Sequence, residues 1–257
     1  MSESQRLAVI TGAGNGIGRS TALMLAKHVK TLVLLDTDAN KLATLANQLT
    51  ALEYPLQIDI YLLDVTQEMA VQTVFGEIAN KHSRLDILIN AVGGGTAAGN
   101  PGAKLEDMEL SQWQGLLDLN LTSTFLCCRA AVPLMKRHQY GRIVNFSSIA
   151  SHGRRDKVSV AYAASKAGVD GFTRKLSREV GSYGITCNAV APGITLTERV
   201  DEKFWQVRSA AEKNDVLESI PVGRLSTPEE QAEVTVFLAS EAASYVTGQI
   251  VEVSGGI

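Results

Sequence analysis

Tyr162 and Lys166 stand four residues apart in the run Tyr162-Ala163-Ala164-Ser165-Lys166. On a helix that spacing turns a phenol and an ammonium to the same side. A free phenol, with a pKa of about 10, is a poor acid–base at neutral pH, and a neighbouring ammonium favours the phenolate. Such a pair can pass a proton to or from a substrate hydroxyl. The same spacing also occurs on ordinary exposed helices, so its meaning depends on what accompanies it.

Its company begins at Thr11-Gly12-Ala13-Gly14-Asn15-Gly16-Ile17-Gly18, which follows an apolar run and opens a helical pattern. Glycines permit a tight turn and let backbone amides approach a pyrophosphate, whose charge suits a helix N-terminus. Gly12, Asn15, Gly16, Ile17 and Gly18 are the expected cofactor contacts. The second apolar run ends in Asp36, 18 residues beyond Gly18, close to the spacing at which a carboxylate bonds an adenosine ribose. A carboxylate accepts from both ribose hydroxyls and repels a 2′-phosphate, and neither Asn15 nor Thr37 is a cation that could neutralise one. These residues predict a dinucleotide site with NAD(H) preferred over NADP(H). The phenol would then exchange a hydroxyl proton while hydride moves to or from the nicotinamide.

The elements that must position these groups alternate along the chain. Apolar runs at 7–11, 31–36, 56–63, 85–90, 142–147, 185–191 and 248–253 read as seven short strands, near-continuous in Leu, Ile and Val, as strands covered on both faces are. Helical patterns lie at 16–30, 39–52, 67–82, 109–138, 160–182 and 228–241, with Thr66, Ser111 and Thr227 at expected N-caps. The alternation predicts an α/β fold: a doubly wound, seven-stranded parallel sheet in one domain spanning 1–257. Two segments break the rhythm, the small-residue loop 93–104 and the charged segment 194–226, in which 11 residues are charged. Both leave from the strand ends where open α/β sheets bind ligands. With 148–161 they are the expected walls of a substrate cleft.

The 257 residues carry 24 Lys plus Arg against 27 Asp plus Glu, a net charge of −3. That balance lacks the cationic excess of non-specific nucleic-acid binding. No apolar stretch approaches a membrane span, and the N-terminus predicts neither signal peptide nor anchor. Cys127, Cys128 and Cys187 are odd in number and lack metal-ligand spacing, so buried reduced thiols in a cytoplasmic protein, with no metal, are expected.

The whole chain resembles the short-chain dehydrogenase/reductase family in its single-domain branch. The resemblance rests on the glycine turn at 11–18, Asp36, Asp64-Val65, Asn90-Ala91-Val92-Gly93, Asn120, Ser148, the Tyr162/Lys166 pair and Pro192-Gly193 in that order. It implies that Tyr162 is the general acid–base and that Ser148 holds the substrate oxygen. Lys166 would tune the phenol and bind the nicotinamide ribose, and Asn120 would hold a relay water. The same resemblance implies that Asp64 and the Val65 backbone contact adenine, Asn90 lies along the adenosine side, and Thr195 and Thr197 grip the carboxamide. Asn90-Ala91-Val92-Gly93 departs from the family's usual Asn-Asn-Ala-Gly, removing one side chain near the cofactor. Ser147 competes with Ser148; strand neighbours face opposite ways, so only one can serve, and the family's alignment favours Ser148.

The loop between Ser148 and Tyr162 carries His152, Arg154, Arg155 and Lys157. Arg154 and Arg155 could fork onto an anionic substrate group; a solvated loop or a subunit contact is the other reading. Phe204 and Trp205 could close over a ligand or pack their segment down. A small secondary alcohol and its ketone form the leading substrate class. The alternative within enzymes is a 3-ketoacyl carrier-protein reductase, disfavoured because Gln139 and Tyr183 replace an expected basic docking surface, though Arg174, Lys175 and Arg178 remain. Outside enzymes, an NAD(H)-sensing regulator on the same fold is the competitor. Leu116, Leu119, Phe125 and Leu126 are more apolar surface than one sheet needs. With the family resemblance they predict a homo-oligomer, a tetramer by preference.

Overall fold

A computed structural model describes residues 6–95, 102–154 and 158–257. Seven strands form one parallel sheet: β1 (Leu7–Thr11), β2 (Thr31–Asp36), β3 (Gln57–Leu62), β4 (Ile87–Asn90), β5 (Gly141–Phe146), β6 (Ile185–Pro192) and β7 (Ile250–Val253). Their order is β3-β2-β1-β4-β5-β6-β7. The chain therefore winds outward from β1 in one direction and then returns to its other side. That reversal opens a crevice at the carboxyl ends of β1 and β4, the place where such sheets take ligands.

The inner strands β1, β2 and β4 are largely apolar because successive side chains enter two different cores, whereas the edge strand β3 carries Gln57 and Asp59. Val9, Val33, Leu88 and Ile143 pack with α3 (Glu68–His82), α5 (Ser123–His138) and α6 (Val160–Val180) through Phe75, Ile78, Leu126, Met135 and Val180. Their neighbours Ile10, Leu32, Leu34, Ile89 and Val144 pack on the opposite face. There they meet α1 (Gly16–Leu25), α2 (Ala39–Thr50) and α9 (Pro228–Ala239) through Leu25, Leu42, Leu45 and Leu238. Cys127, Cys128 and Cys187 are free and buried in the first of these cores.

Several boundaries depart from expectation. The apolar pattern over 109–138 is not one α-helix: α4 (Leu110–Leu117) passes through a π turn at Asp118–Thr122 before α5 begins. The segment 194–226 is largely helical, with the short α7 (Glu198–Val200), a second π turn (Asp201–Trp205) and α8 (Ala210–Glu218). Thr227 caps α9 in a capping box with Glu230. Thr66 does not cap α3; its hydroxyl donates to Asp64 at 2.7 Å, and Gln67 is the N-cap residue. Ser111 lies inside α4, whose N-cap is Glu109.

Candidate active site

Two elements converge on the catalytic residues. Ser159 caps α6 by accepting from the Tyr162 N–H at 3.3 Å, which sets Tyr162 in the first turn and Lys166 one turn later. Ser148 lies just beyond β5, and all three side chains are buried. Lys166 Nζ donates to the Phe146 carbonyl at 2.6 Å and lies 5.9 Å from the Tyr162 ring centroid. Burial pulls the Lys166 ammonium down to about 8, with Asp170, a turn further along α6, acting in the opposite direction. The two serines differ in their bonding. Ser147 donates its hydroxyl to the Lys166 carbonyl at 3.4 Å, whereas Ser148 accepts from the Ala150 N–H at 3.1 Å.

Asn120 sits at the centre of the first π turn, fully buried. Its Oδ1 accepts from the Gly94 N–H at 2.9 Å, and its Nδ2 donates to the Leu116 carbonyl at 2.9 Å and the Gly94 carbonyl at 3.3 Å. The widened turn is thereby pinned to the loop that follows β4, a common use of π insertions at functional sites. A Cβ on Gly93 would lie 2.8 Å from Asn120 Oδ1 and 2.9 Å from Lys166 Nζ, so the two side chains meet over that glycine.

At the other end of the crevice, Asn15 caps α1, its Oδ1 accepting from the Gly16 N–H at 2.8 Å. Gly12 occupies the left-handed region at φ 62°, and a Cβ on Gly18 would run into the Gly12 carbonyl, so the turn requires glycine at both ends. Asp36 Oδ2 accepts from the Gly14 N–H at 2.9 Å, fixing the carboxylate against the turn. Asp64 is exposed and Val65 buried at the start of the next connection. Asn90 is turned into the sheet, where its Nδ2 donates to Asn145 Oδ1 at 2.8 Å and to Cys128 Sγ at 3.3 Å. Its side chain braces β4 against β5. Thr195 bonds Ser226 through their hydroxyls at 2.9 Å, and Thr197 caps α7.

A cavity of about 260 Å³ opens at the Ser148, Tyr162 and Lys166 end of the crevice. Ile17, Ser147, Ser148, Tyr162, Lys166, Thr195 and Thr197 line it, with Arg199, Lys203 and Phe204 from the second helical segment. Arg154 does not line it. Its guanidinium pairs with Glu252 at 2.8 Å and donates to the Ile257 carbonyl at 3.0 Å, so the structure places it as a tie to the C-terminal residue and not as a substrate clamp. Arg155 and Lys157 lie outside the described residues. His152 stands 3.3 Å from Glu252 and 3.7 Å from Asp170. Of the two aromatics, Phe204 lines the cavity, and Trp205 packs 5.5 Å from Lys213 Nζ. Arg199 and Lys203 are cleft residues that the sequence reading left among the general charges of their segment. Their four-residue spacing was the available signal. Among the described residues there is no cluster of metal-ligating side chains, and no helix is long and apolar enough to cross a membrane.

A winding order that opens a crevice at β1/β4, with a glycine turn at one end and a buried Ser-Tyr-Lys set at the other, defines a dinucleotide-linked oxidoreductase architecture. The chain belongs to the short-chain dehydrogenase/reductase family. The family model described as enoyl-(acyl carrier protein) reductase matches residues 12–257. The chain is 35% identical over 256 residues to the 3-oxoacyl-(acyl-carrier-protein) reductase FabG of Thermotoga maritima, covering 98% of this chain and 97% of that one. It is also 35% identical over 270 residues to the 3beta-hydroxysteroid dehydrogenase of Mediterraneibacter gnavus, covering 98% and 94%. Among solved structures it resembles a 3-oxoacyl-(acyl-carrier protein) reductase with bound NAD from Brucella melitensis. The TM-score there is 0.87 at 31% identity, over 100% of this chain and 92% of that one.

Proposed function

We propose that this protein is an NAD(H)-dependent oxidoreductase that interconverts a ketone and a secondary alcohol, with Tyr162 as the proton carrier and 3-oxoacyl compounds as the foremost substrates. The observation that carries the chemistry is the convergence of Ser148, Tyr162 and Lys166 on one cavity beside the glycine turn. The names of relatives aligned along 98% of the chain favour the 3-oxoacyl class. This reverses the order read from sequence, in which a general small alcohol stood first. One argument behind that order also weakens: Lys136 Nζ lies 4.4 Å from the Tyr183 ring, so a cation does stand at the surface judged unable to attract an acidic carrier.

When bound, a nicotinamide dinucleotide supplies or accepts the hydride. The chain's residues fit such a group: the turn at 12–18 is closed to side chains at Gly18, and a fixed carboxylate stands beside it. Asp36 would receive the adenosine ribose hydroxyls, the backbone at Gly12, Asn15, Gly16, Ile17 and Gly18 the pyrophosphate, and Asp64 and Val65 the adenine. Thr195 and Thr197 would hold the carboxamide. Phe146 takes one of the three Lys166 protons, which leaves donors for the nicotinamide ribose. Ser148, whose oxygen accepts from the backbone, donates its proton to the substrate oxygen. Tyr162 delivers a proton to that oxygen in reduction and removes it in oxidation, and Asn120 holds the relay water that resupplies Lys166. NAD(H) is preferred because a 2′-phosphate would meet the Asp36 carboxylate. Buried thiols suit a cytoplasmic setting.

With acetoacetyl-CoA as ketone, kcat/KM is expected to favour NADH over NADPH by about tenfold or more, and Tyr162→Phe to lose about 100-fold or more. Unchanged turnover in the variant sinks the proton-carrier assignment, and an NADPH preference sinks the cofactor assignment. Reduction of simple ketones but not of the thioester removes the 3-oxoacyl class alone. A protein that binds NADH yet turns over no ketone is instead a sensor.

A further inference from the structure

Asp170 is a buried carboxylate with no place in the proton and hydride steps. It is 4% exposed and stands on α6 one turn beyond Lys166, which is 3% exposed. A four-residue step keeps the two side chains on one face of the helix. Its bonding is thin for a buried charge. Among the described residues Oδ1 has no hydrogen-bond partner, and Oδ2 faces His152 Nε2 at 3.7 Å, an ion-pair distance beyond that of a hydrogen bond. His152 in turn stands 3.3 Å from Glu252 of β7, which pairs with Arg154. A carboxylate buried with so few hydrogen bonds is costly unless a cation offsets it.

Few other charges face this pair. On α6, Tyr162 lies one turn before Lys166, and Arg174, one turn beyond Asp170, is exposed. α4 and β6 carry no charged side chain, and burial keeps the Cys128 and Cys187 thiols neutral. In the first π turn Asp118 accepts from Gln114 and Thr122. Arg142 of β5 pairs with Glu241, and Arg129 of α5 with Glu68. Arg199 and Lys203 line the cavity with Lys166 but bear its own sign of charge, so they cannot compensate it. Asp170 is the group whose charge opposes the burial penalty on Lys166.

That charge decides how many protons Lys166 can offer. An ammonium has three N–H donors and a neutral amine two. The Phe146 carbonyl takes one, so losing the charge halves what remains for the nicotinamide ribose. We infer that Asp170 is a positioning residue whose buried carboxylate holds Lys166 in the charged, three-donor form. It acts through Lys166 and does not itself line the cavity. The inference rests on the oxidoreductase reading for the use of that charge, but not for its origin.

Cofactor-free protein carrying 13C at lysine Cε reports the Lys166 titration directly by NMR, its signal assigned by its loss in Lys166→Met. The wild-type midpoint is expected at about 8, and that of Asp170→Asn about one pH unit lower. With NADH and acetoacetyl-CoA, kcat/KM of Asp170→Asn is expected to fall about fivefold at pH 8 and to match wild type within about twofold at pH 6, where Lys166 is charged in both. His152→Gln keeps the carboxylate and is expected to move the midpoint by less than about 0.3. An unshifted midpoint in Asp170→Asn overturns the inference, as does an equal loss of kcat/KM at the two pH values. A shift in His152→Gln as large as that in Asp170→Asn also overturns it, because Asp170 then serves as a tie to the turn at 149–152. Asp170→Val removes the charge with a different side chain and takes the place of the amide if that variant does not fold; failure of both to fold marks a structural tie and overturns the inference. If no ketone is reduced, the midpoint alone decides: a lowered midpoint sustains the coupling of Asp170 to Lys166 while the oxidoreductase reading falls.

Discussion

Lys166 shows how one buried side chain sets function against stability. Its ammonium titrates at about 8 in the folded protein against 10.5 for an ordinary lysine. Between those values the unfolded chain holds a proton that the folded chain lacks, so this group makes stability rise with pH across that window. Below it the folded state bears the full cost of a buried charge. Lys166→Met is therefore expected to raise stability at pH 7 by about 1–3 kcal/mol, less whatever the lost bond to Phe146 contributes. The advantage should shrink as pH climbs toward 10.5, and urea titrations at two pH values read it directly. Activity should fall steeply in the same variant. A gain that persists undiminished at high pH would mean that packing, and not charge, is responsible.

At the scale of elements, the π turn at Asp118–Thr122 does the positioning. It places Asn120 where one amide side chain can bridge Leu116 and Gly94. Asn120→Ala would leave the Gly94 N–H without that acceptor and loosen the 93–95 loop beneath Lys166 and Tyr162. The expected result is a drop in kcat together with faster hydrogen exchange at 93–95, and a loss of about 1–3 kcal/mol in stability. Exchange at 93–95 that matches wild type would show that another contact holds the loop. The π turn was not legible in the sequence, because the apolar spacing of 109–138 continues through it and only the extra backbone residue per turn distinguishes it. Thr227 was legible, since its Glu230 partner stands three residues on. Thr66 misled because Asp64, two residues back, takes its hydroxyl.

At the scale of the whole molecule, the sheet was readable because burial on both faces leaves unbroken Leu, Ile and Val runs, and the glycine turn and Tyr162/Lys166 pair because their chemistry is local. Arg154 and Arg199 were not, since each is decided by a partner far along the chain: Glu252 for one, Gly94 for the other. The loop around Arg154 left a substrate contact and a structural one both open, and nothing within the charged wall 194–226 singled out Arg199. The outer faces carry apolar residues that no core uses, Leu110 at 79% and Phe125 at 41% exposure. We propose that α4 and α5 meet a second copy of the chain, within a tetramer. Light scattering should return a multiple of the single-chain mass, and Phe125→Glu should lower it; a monomeric wild type would refute the assembly.

The core also carries its own reporter. Burial raises the thiols of Cys127, Cys128 and Cys187, Cys128 to about 12, and the thiolate is the species that alkylating reagents attack. In the native state these sulfurs are therefore both out of reach and in the wrong ionisation state. Each modified thiol accordingly records a molecule whose core has opened, so the pace of labelling in plain buffer becomes a clock for unfolding that needs neither a dye nor a substrate.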